Sequence, residues 1–148
     1  MYNKAHLTLL GKSSNVGLAR LSVATFASEL EFTLNELEEI KVAISEAVTN
    51  CIIHAYPLEE GQIEIDLKIS ENKLIIVITD QGIGIEDIDT VVQPSYSTKD
   101  EHMGLGLAFI DSFMDSFEIE SIIDKGTSLK MTKVPEQMKK TEINNSVE

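Results

Sequence analysis

Two consecutive stretches of the chain repeat apolar residues at the spacing of an amphipathic helix. The first runs to about Leu30 and follows polar N-cap candidates at positions 12–15. In the second, Thr33 and Glu36 form a capping box, after which apolar residues recur at positions 37, 40, 44, 48, 51 and 55. The pattern predicts two helices in succession, the second from about Leu34 to His54.

Other segments follow the two-residue period of strands. Residues 6–10 predict a short first strand, residues 63–69 alternate apolar and charged side chains, and residues 74–79 are apolar throughout. A hairpin turn at Glu71-Asn72, a short helix around residues 86–91, a helix from Gly104 to Asp115 and a hairpin around residues 124–126 complete the predicted pattern. The order of elements predicts an α+β two-layer sandwich, in which helices cover one face of a mixed, mostly antiparallel sheet.

Length and charge narrow the function classes. The 148 residues fit a single domain, predicted over residues 1–134 and followed by a polar, flexible tail over residues 135–148. A formal net charge of −13 excludes broad contact with nucleic acid, disfavours anionic membranes and favours a basic protein partner.

No apolar run approaches the roughly 20 residues of a membrane span, so we expect a cytoplasmic protein. The single cysteine, Cys51, is predicted to be a small core residue.

The second predicted helix carries three polar residues at four-residue intervals. Glu46, Asn50 and His54 would share one helix face. Carboxylate and carboxamide oxygens one turn apart suit Mg²⁺, which takes its other ligands from water and phosphates. The alternative interpretation is a solvated helix face.

Asp80 ends the predicted central strand on the same face as Leu74, Ile76 and Ile78, so its carboxylate points into an apolar space and needs a hydrogen-bond donor. The exocyclic amine of adenine is one such donor. Gly82 and Gly84 then permit close approach of a ligand to the main chain. A surface turn is the competing interpretation.

Two further glycine motifs complete a candidate nucleotide site. The Gly104-Leu105-Gly106 turn is predicted to begin a helix whose free amides suit a polyphosphate. At Gly126-Thr127, either a threonine hydroxyl supplements Asp80 in contacting the nucleotide base or the glycine simply serves the hairpin turn. The phosphate-loop and Rossmann glycine motifs do not occur in the sequence.

The segments Glu46-Ala47-Val48-Thr49-Asn50, Asp80-Gln81-Gly82-Ile83-Gly84 and Gly104-Leu105-Gly106 resemble the N, G1 and G2 boxes of the Bergerat ATP-binding fold. That superfamily includes gyrase, a heat-shock chaperone, mismatch-repair proteins and histidine kinases. Over residues 4 to about 133, the chain is most similar to the anti-sigma factor serine kinases that regulate sporulation.

The resemblance implies roles for individual residues. Asn50 would bind Mg²⁺, Glu46 would be the general base and Asp80 would read adenine. The other nucleotide contacts implied are Gly82, Gly84, Gly104, Leu105, Gly106 and Thr127, with Ser97, Thr98 and Lys99 in a lid over the phosphates. Arg20 corresponds to a partner-contact position. Such proteins form homodimers, hold a sigma factor away from RNA polymerase and phosphorylate a serine on an anti-anti-sigma protein.

The sequence departs from that family at two places. Val16 stands where close relatives have an acidic partner-contacting residue, and the lid between Lys99 and Gly104 is short and lacks their arginine; His102 lies nearest. The missing cation leaves open a second hypothesis, a non-catalytic module whose ATP-dependent lid switches a protein interface. A histidine-kinase-type catalytic domain is a third possibility, although His54 inside the nucleotide helix would be a poor phosphoacceptor.

Overall fold

The computed structural model describes residues 1–55, 61–83 and 101–139; for residues 54, 55 and 101–106 it describes the main chain. Five strands form one sheet in the order β1-β2-β3-β5-β4. Their bounds are β1 Tyr2–Leu10, β2 Gln62–Ser70, β3 Lys73–Asp80, β4 Ser116–Ile122 and β5 Gly126–Lys133. Every pairing between these strands is antiparallel, so the parallel element of the predicted mixed sheet does not occur among the described residues.

Two tight turns set the strand register. Glu71 and Asn72 both have positive φ, 52° and 64°, which is the main-chain conformation whose twist matches a two-residue hairpin between β2 and β3. At the other hairpin, Asp124 has φ 65° and Gly126 has φ 118°. Both hairpins were predicted from their turn residues, and both predictions are confirmed.

Helices cover one face of the sheet. They are α1 Val16–Ala27, preceded by a 3₁₀ turn at Ser13–Asn15, α2 Leu34–Asn50 and α3 Glu101–Phe113. Helix α2 lies in the middle and packs against both α1 and α3. The core between α2 and the sheet contains the fully buried side chains Ile40, Ile44, Ile65, Ile76 and Ile78. The two-layer prediction is therefore confirmed, and no described helix is long and apolar enough to cross a membrane.

Helix ends account for most differences from the prediction. Helix α1 ends at Ala27 rather than near Leu30, and Ser28 closes it by donating its hydroxyl to the Thr25 carbonyl at 2.6 Å. Helix α2 changes at Cys51 into a π-helical turn, Cys51–Ala55. Helix α3 begins at Glu101, three residues before the predicted start, because helical hydrogen bonding extends through the polar residues that the apolar pattern did not include.

The capping box of α2 is confirmed and extends to the C-terminal segment. The Thr33 hydroxyl accepts the Glu36 amide at 3.1 Å, and Glu36 Oε1 accepts the Thr33 amide at 2.9 Å. The second Glu36 oxygen accepts the main-chain amide of Glu136 at 3.0 Å. Residues 136–139 form a helical turn, and Lys139 pairs with Asp115 at 2.6 Å. The first residues of the predicted flexible tail thus contact the domain, while residues 140–148 lie outside the described part.

We expect Glu36→Ala to lower the free energy of unfolding by about 2 kcal/mol, because it removes two hydrogen bonds to main-chain amides from a carboxylate that is only 5% exposed. Urea denaturation would measure the change. Glu38→Ala is the matched control, since the Glu38 side chain is 68% exposed and pairs only with Lys41 among the described residues; it should change stability by less than about 0.5 kcal/mol. Equal effects in the two variants would contradict a role for the buried carboxylate.

Candidate functional site

Asp80 ends β3 with its side chain on the helix-covered face of the sheet. The preceding residues on that face, Leu74, Ile76 and Ile78, are buried, and Asp80 itself is only 5% exposed. The prediction from period-2 alternation is confirmed. A carboxylate removed from water in this way must receive hydrogen bonds from the protein or from a ligand.

Main-chain amides supply two of those hydrogen bonds. The Gly82 N–H donates to Asp80 Oδ1 at 3.0 Å, and the Thr127 N–H donates to the same oxygen at 3.3 Å. Thr127 lies directly opposite Asp80 in the β3–β5 register. The carboxylate is therefore fixed from two sides, by the loop after β3 and by the start of β5.

The third donor is Cys51, at the end of α2. Its thiol lies 3.5 Å from Asp80 Oδ2 and can donate to it. Burial raises the pKa of the Cys51 thiol well above its ordinary value, and the neighbouring Asp80 charge raises it further, so the sulfur keeps its proton. Cys51 is also the first residue of the π-helical turn, a distortion that is common at functional sites.

Glu46 and Asn50 lie on α2 just before this contact. Both are half-buried, and neither side chain has a hydrogen-bond partner among the residues that the structure describes. Since Asn50 immediately precedes Cys51, the Cys51–Asp80 contact places the end of the helix beside Asp80. The structure therefore brings two of the predicted motifs together. The side chain of His54 is outside the described set.

At the start of β5, the structure confirms that Gly126 serves the hairpin turn. A Cβ atom on Gly126 would lie 2.7 Å from the Gln81 Cα and closer still to the Asp80 carbonyl oxygen, so this glycine serves close main-chain approach as well as the turn. The Thr127 hydroxyl pairs with the Ser121 hydroxyl at 2.8 Å, and only its amide contacts Asp80. Contact of that hydroxyl with a nucleotide base stays a prediction.

The remaining predicted contacts divide between α3 and residues outside the description. Gly104, Leu105 and Gly106 lie within the first two turns of α3 instead of at its start, which corrects the prediction of a helix terminus at Gly104. Helix α3 lies beside α2 in the helical layer and packs against it. Gly84, the predicted short helix around residues 86–91, and the lid residues Ser97, Thr98 and Lys99 lie outside the described residues.

Arg20, the residue at the predicted partner-contact position, is hydrogen-bonded to helix α2. Its Nη1 atom donates to the Ser45 hydroxyl at 3.2 Å, and that hydroxyl donates to the Lys41 carbonyl at 2.8 Å. Ser45 immediately precedes Glu46 in the chain. On the same helix as Arg20, Leu18 and Leu21 are 51% and 58% exposed.

Sequence reasoning missed the contact between Cys51 and Asp80. It assigned Cys51 only to the core, where the residue does lie. The available signal was that the apolar stripe of α2 containing Cys51 and the apolar face of β3 containing Asp80 were both predicted to face the same layer. The Cys51 thiol at the end of α2 and the Asp80 carboxylate at the end of β3 were therefore candidate hydrogen-bond partners.

The chain is similar to known proteins over almost its whole length. Residues 11–133 match the family described as Histidine kinase-like ATPase domain. The anti-sigma F factor of Clostridium kluyveri is 46% identical over 134 residues, which cover 89% of this chain and 94% of that protein. The anti-sigma F factor of Thermoanaerobacter pseudethanolicus is 47% identical over 133 residues, covering 88% and 93%.

Solved structures show the same fold at low sequence identity. The histidine kinase domain of a blue-light activated histidine kinase from Erythrobacter litoralis matches with a TM-score of 0.57 and 16% identity; the match covers 87% of this chain and 63% of that one. The chain therefore belongs to the histidine kinase-like ATPase domain family, whose domain binds ATP, and within that family to the anti-sigma F factors.

Proposed function

We propose that the protein is an ATP-dependent anti-sigma factor that sequesters a sigma factor and phosphorylates a serine of an anti-anti-sigma protein. The observation that carries the proposal is a buried carboxylate, Asp80, held beside the end of the helix that carries Glu46 and Asn50. Relatives that are 44–47% identical over about nine-tenths of the chain carry the name anti-sigma F factor. Site and relatives support the same function.

The residues around the phosphate side fit Mg²⁺. The half-buried Asn50 side chain offers a carbonyl oxygen with no competing partner among the described residues, and Glu46 lies one turn earlier on the same helix. The described residues contain no group of three or more His, Cys, Asp or Glu that could hold a metal. Mg²⁺ needs only one or two ligands from the protein, because the ion keeps several waters and binds substrate phosphates. When bound, it would neutralise charge on those phosphates.

The proposed mechanism assigns a role to each group. Asp80 accepts the adenine amine at the closed end of the site, and Asn50 holds the metal side. The Glu46 carboxylate accepts the proton of the substrate serine hydroxyl. The serine oxygen attacks the γ-phosphorus of ATP, and the bond between that phosphorus and the ADP oxygen breaks. We assign contact with the phosphates to Gly104-Leu105-Gly106 and to the lid residues Ser97, Thr98 and Lys99, the last three of which lie outside the described residues.

Charge and exposed apolar area support protein partners. The net charge of −13 favours long-range attraction of a basic protein. Helix α1 presents Leu18 and Leu21 to solvent and carries Arg20, which is hydrogen-bonded to the nucleotide helix through Ser45. We assign contact with the sigma factor and with the substrate protein to this helix.

We also propose that the protein acts as a homodimer. Light scattering of the purified chain would measure its molar mass in solution and so test this proposal.

The decisive experiment incubates the protein with labelled ATP, Mg²⁺ and a candidate anti-anti-sigma protein. Wild type should produce phosphoserine, whereas Glu46→Gln should bind ATP within about threefold of wild type and transfer phosphate at least about 100-fold more slowly, because the substrate hydroxyl loses its proton acceptor. Asn50→Ala should lose the Mg²⁺-dependent part of ATP affinity.

Two outcomes separate the alternatives. Absence of label transfer, together with intact ATP binding and sigma-factor binding, would replace the kinase by a non-catalytic module switched by ATP. The segment between Lys99 and Gly104, which reads Asp-Glu-His-Met and has no arginine, is the feature that favours this second candidate. Equal transfer by wild type and Glu46→Gln would instead remove Glu46 from the mechanism.

A further inference from the structure

We propose that Cys51 is a positioning residue for base recognition, whose thiol holds Asp80 so that Oδ2 accepts the exocyclic amine of adenine. The inference rests on the proposed role of Asp80 as the adenine reader and adds a residue that acts through it. It makes the preference for an aminopurine a property of the Cys51–Asp80 pair rather than of Asp80 alone.

The hydrogen bonds of Asp80 show which of its oxygens is free to receive a ligand. An ionised carboxylate has two oxygens and about four lone-pair positions. Oδ1 accepts the amides of Gly82 and Thr127, which uses both of its positions. Oδ2 accepts only the Cys51 thiol among the described residues. Within the described part of the chain, one acceptor position therefore remains, and it belongs to Oδ2.

The thiol adds a third restraint on the carboxylate to the two that the amides provide. Both oxygens turn together about the Cβ–Cγ bond of Asp80, and the two amides on Oδ1 already oppose that rotation. The Cys51 S–H, 3.5 Å from Oδ2, opposes the same rotation from the other oxygen.

An acceptor fixed at this point selects between purines. Adenine presents an amine at its sixth position, whereas guanine and hypoxanthine present a carbonyl oxygen. A carboxylate oxygen facing a carbonyl oxygen leaves two acceptors without a hydrogen, which is costly in a site removed from water. The thiol matters only for ligands that donate to Oδ2, which gives its role a specific signature.

The test compares ATP with purine riboside triphosphate, which has the same ring and phosphates but no exocyclic amine. We expect Cys51→Ala to raise the Kd of ATP about fivefold, the effect of losing one modest hydrogen bond, and to leave the Kd of the amine-free nucleotide unchanged. Cys51→Ser keeps a donor and should bind ATP within about twofold of wild type. Val48→Ala, which truncates a buried neighbour on the same helix, is the control for loosened packing and should affect both nucleotides alike.

A spectroscopic measurement tests the contact without any nucleotide. Cys51 is the sole cysteine, so the infrared S–H stretch of the protein reports on this group alone. The band should lie at the lower frequency of a hydrogen-bonded thiol in wild type and move to the free-thiol frequency in Asp80→Ala.

Distinct results overturn the inference and the function on which it rests. A free-thiol band in wild type, or equal losses for both nucleotides in Cys51→Ala, would overturn the positioning role while ATP binding stands. If wild type fails to bind ATP, the proposed function of the site falls, whatever the infrared band shows.

Discussion

Asp80→Asn is expected to raise the Kd of ATP by about 100-fold or more. The asparagine oxygen would keep the two main-chain amides that Asp80 Oδ1 now accepts, from Gly82 and Thr127. Its NH₂ group would then replace Oδ2 and face two other donors, the Cys51 thiol and the adenine amine. Each of these facing donors would be removed from water without an acceptor, which costs its free energy of hydration. ATP binding would also lose the hydrogen bond between the adenine amine and the carboxylate.

Isothermal titration calorimetry with ATP would measure this loss, and thermal unfolding would show that the variant stays folded. Asp66→Asn is the matched control, since it removes the same charge from an Asp side chain on β2 that is 59% exposed and pairs with His6. It should leave the Kd of ATP within about twofold of wild type. If Asp80→Asn also bound ATP within threefold, Asp80 would not be the adenine reader.

Much of the fold follows from local signals in the sequence. The Thr33–Glu36 capping box predicts the start of α2 because its two hydrogen bonds lie within one turn. The Glu71-Asn72 turn and the alternating residues of β2 likewise predict a hairpin without knowledge of distant residues. Even the burial of Asp80 follows, since period-2 alternation needs only the strand itself.

Features that depend on distant residues could not be predicted in this way. The contact of Cys51 with Asp80 spans 29 positions, and that of Glu36 with Glu136 spans 100. Neither leaves a periodic pattern in the sequence. The start of α3 at Glu101 was missed for a different reason, because its first residues are polar and its glycines are weak helix formers. For the candidate site, the composition of the motifs was predictable, and the hydrogen-bond partners of Asp80 were not.

Gly126→Ala is expected to lower the free energy of unfolding by about 3 kcal/mol or more, through strain at a positive φ and overpacking. Gly126 has φ 118°, and an added Cβ would lie 2.7 Å from the Gln81 Cα and 2.9 Å from the Asp80 carbonyl carbon. These are main-chain atoms of the strand end and loop that hold Asp80, so they cannot yield as a flexible side chain would. Chemical denaturation would measure the loss.

Gly17→Ala provides the matched control, because a Cβ there meets only the Arg20 guanidinium at an ordinary 3.5 Å and Gly17 has no strained φ. That variant should be as stable as wild type or more stable by up to about 1 kcal/mol, since alanine favours the helix. Gly126→Ala should also weaken ATP binding, because separating β5 from Asp80 moves the Thr127 amide that lies 3.3 Å from the carboxylate. Full stability together with normal ATP affinity in Gly126→Ala would show that the close approach of β5 to Asp80 is not required, and the main-chain support of the adenine site would then have to come from Gly82 alone.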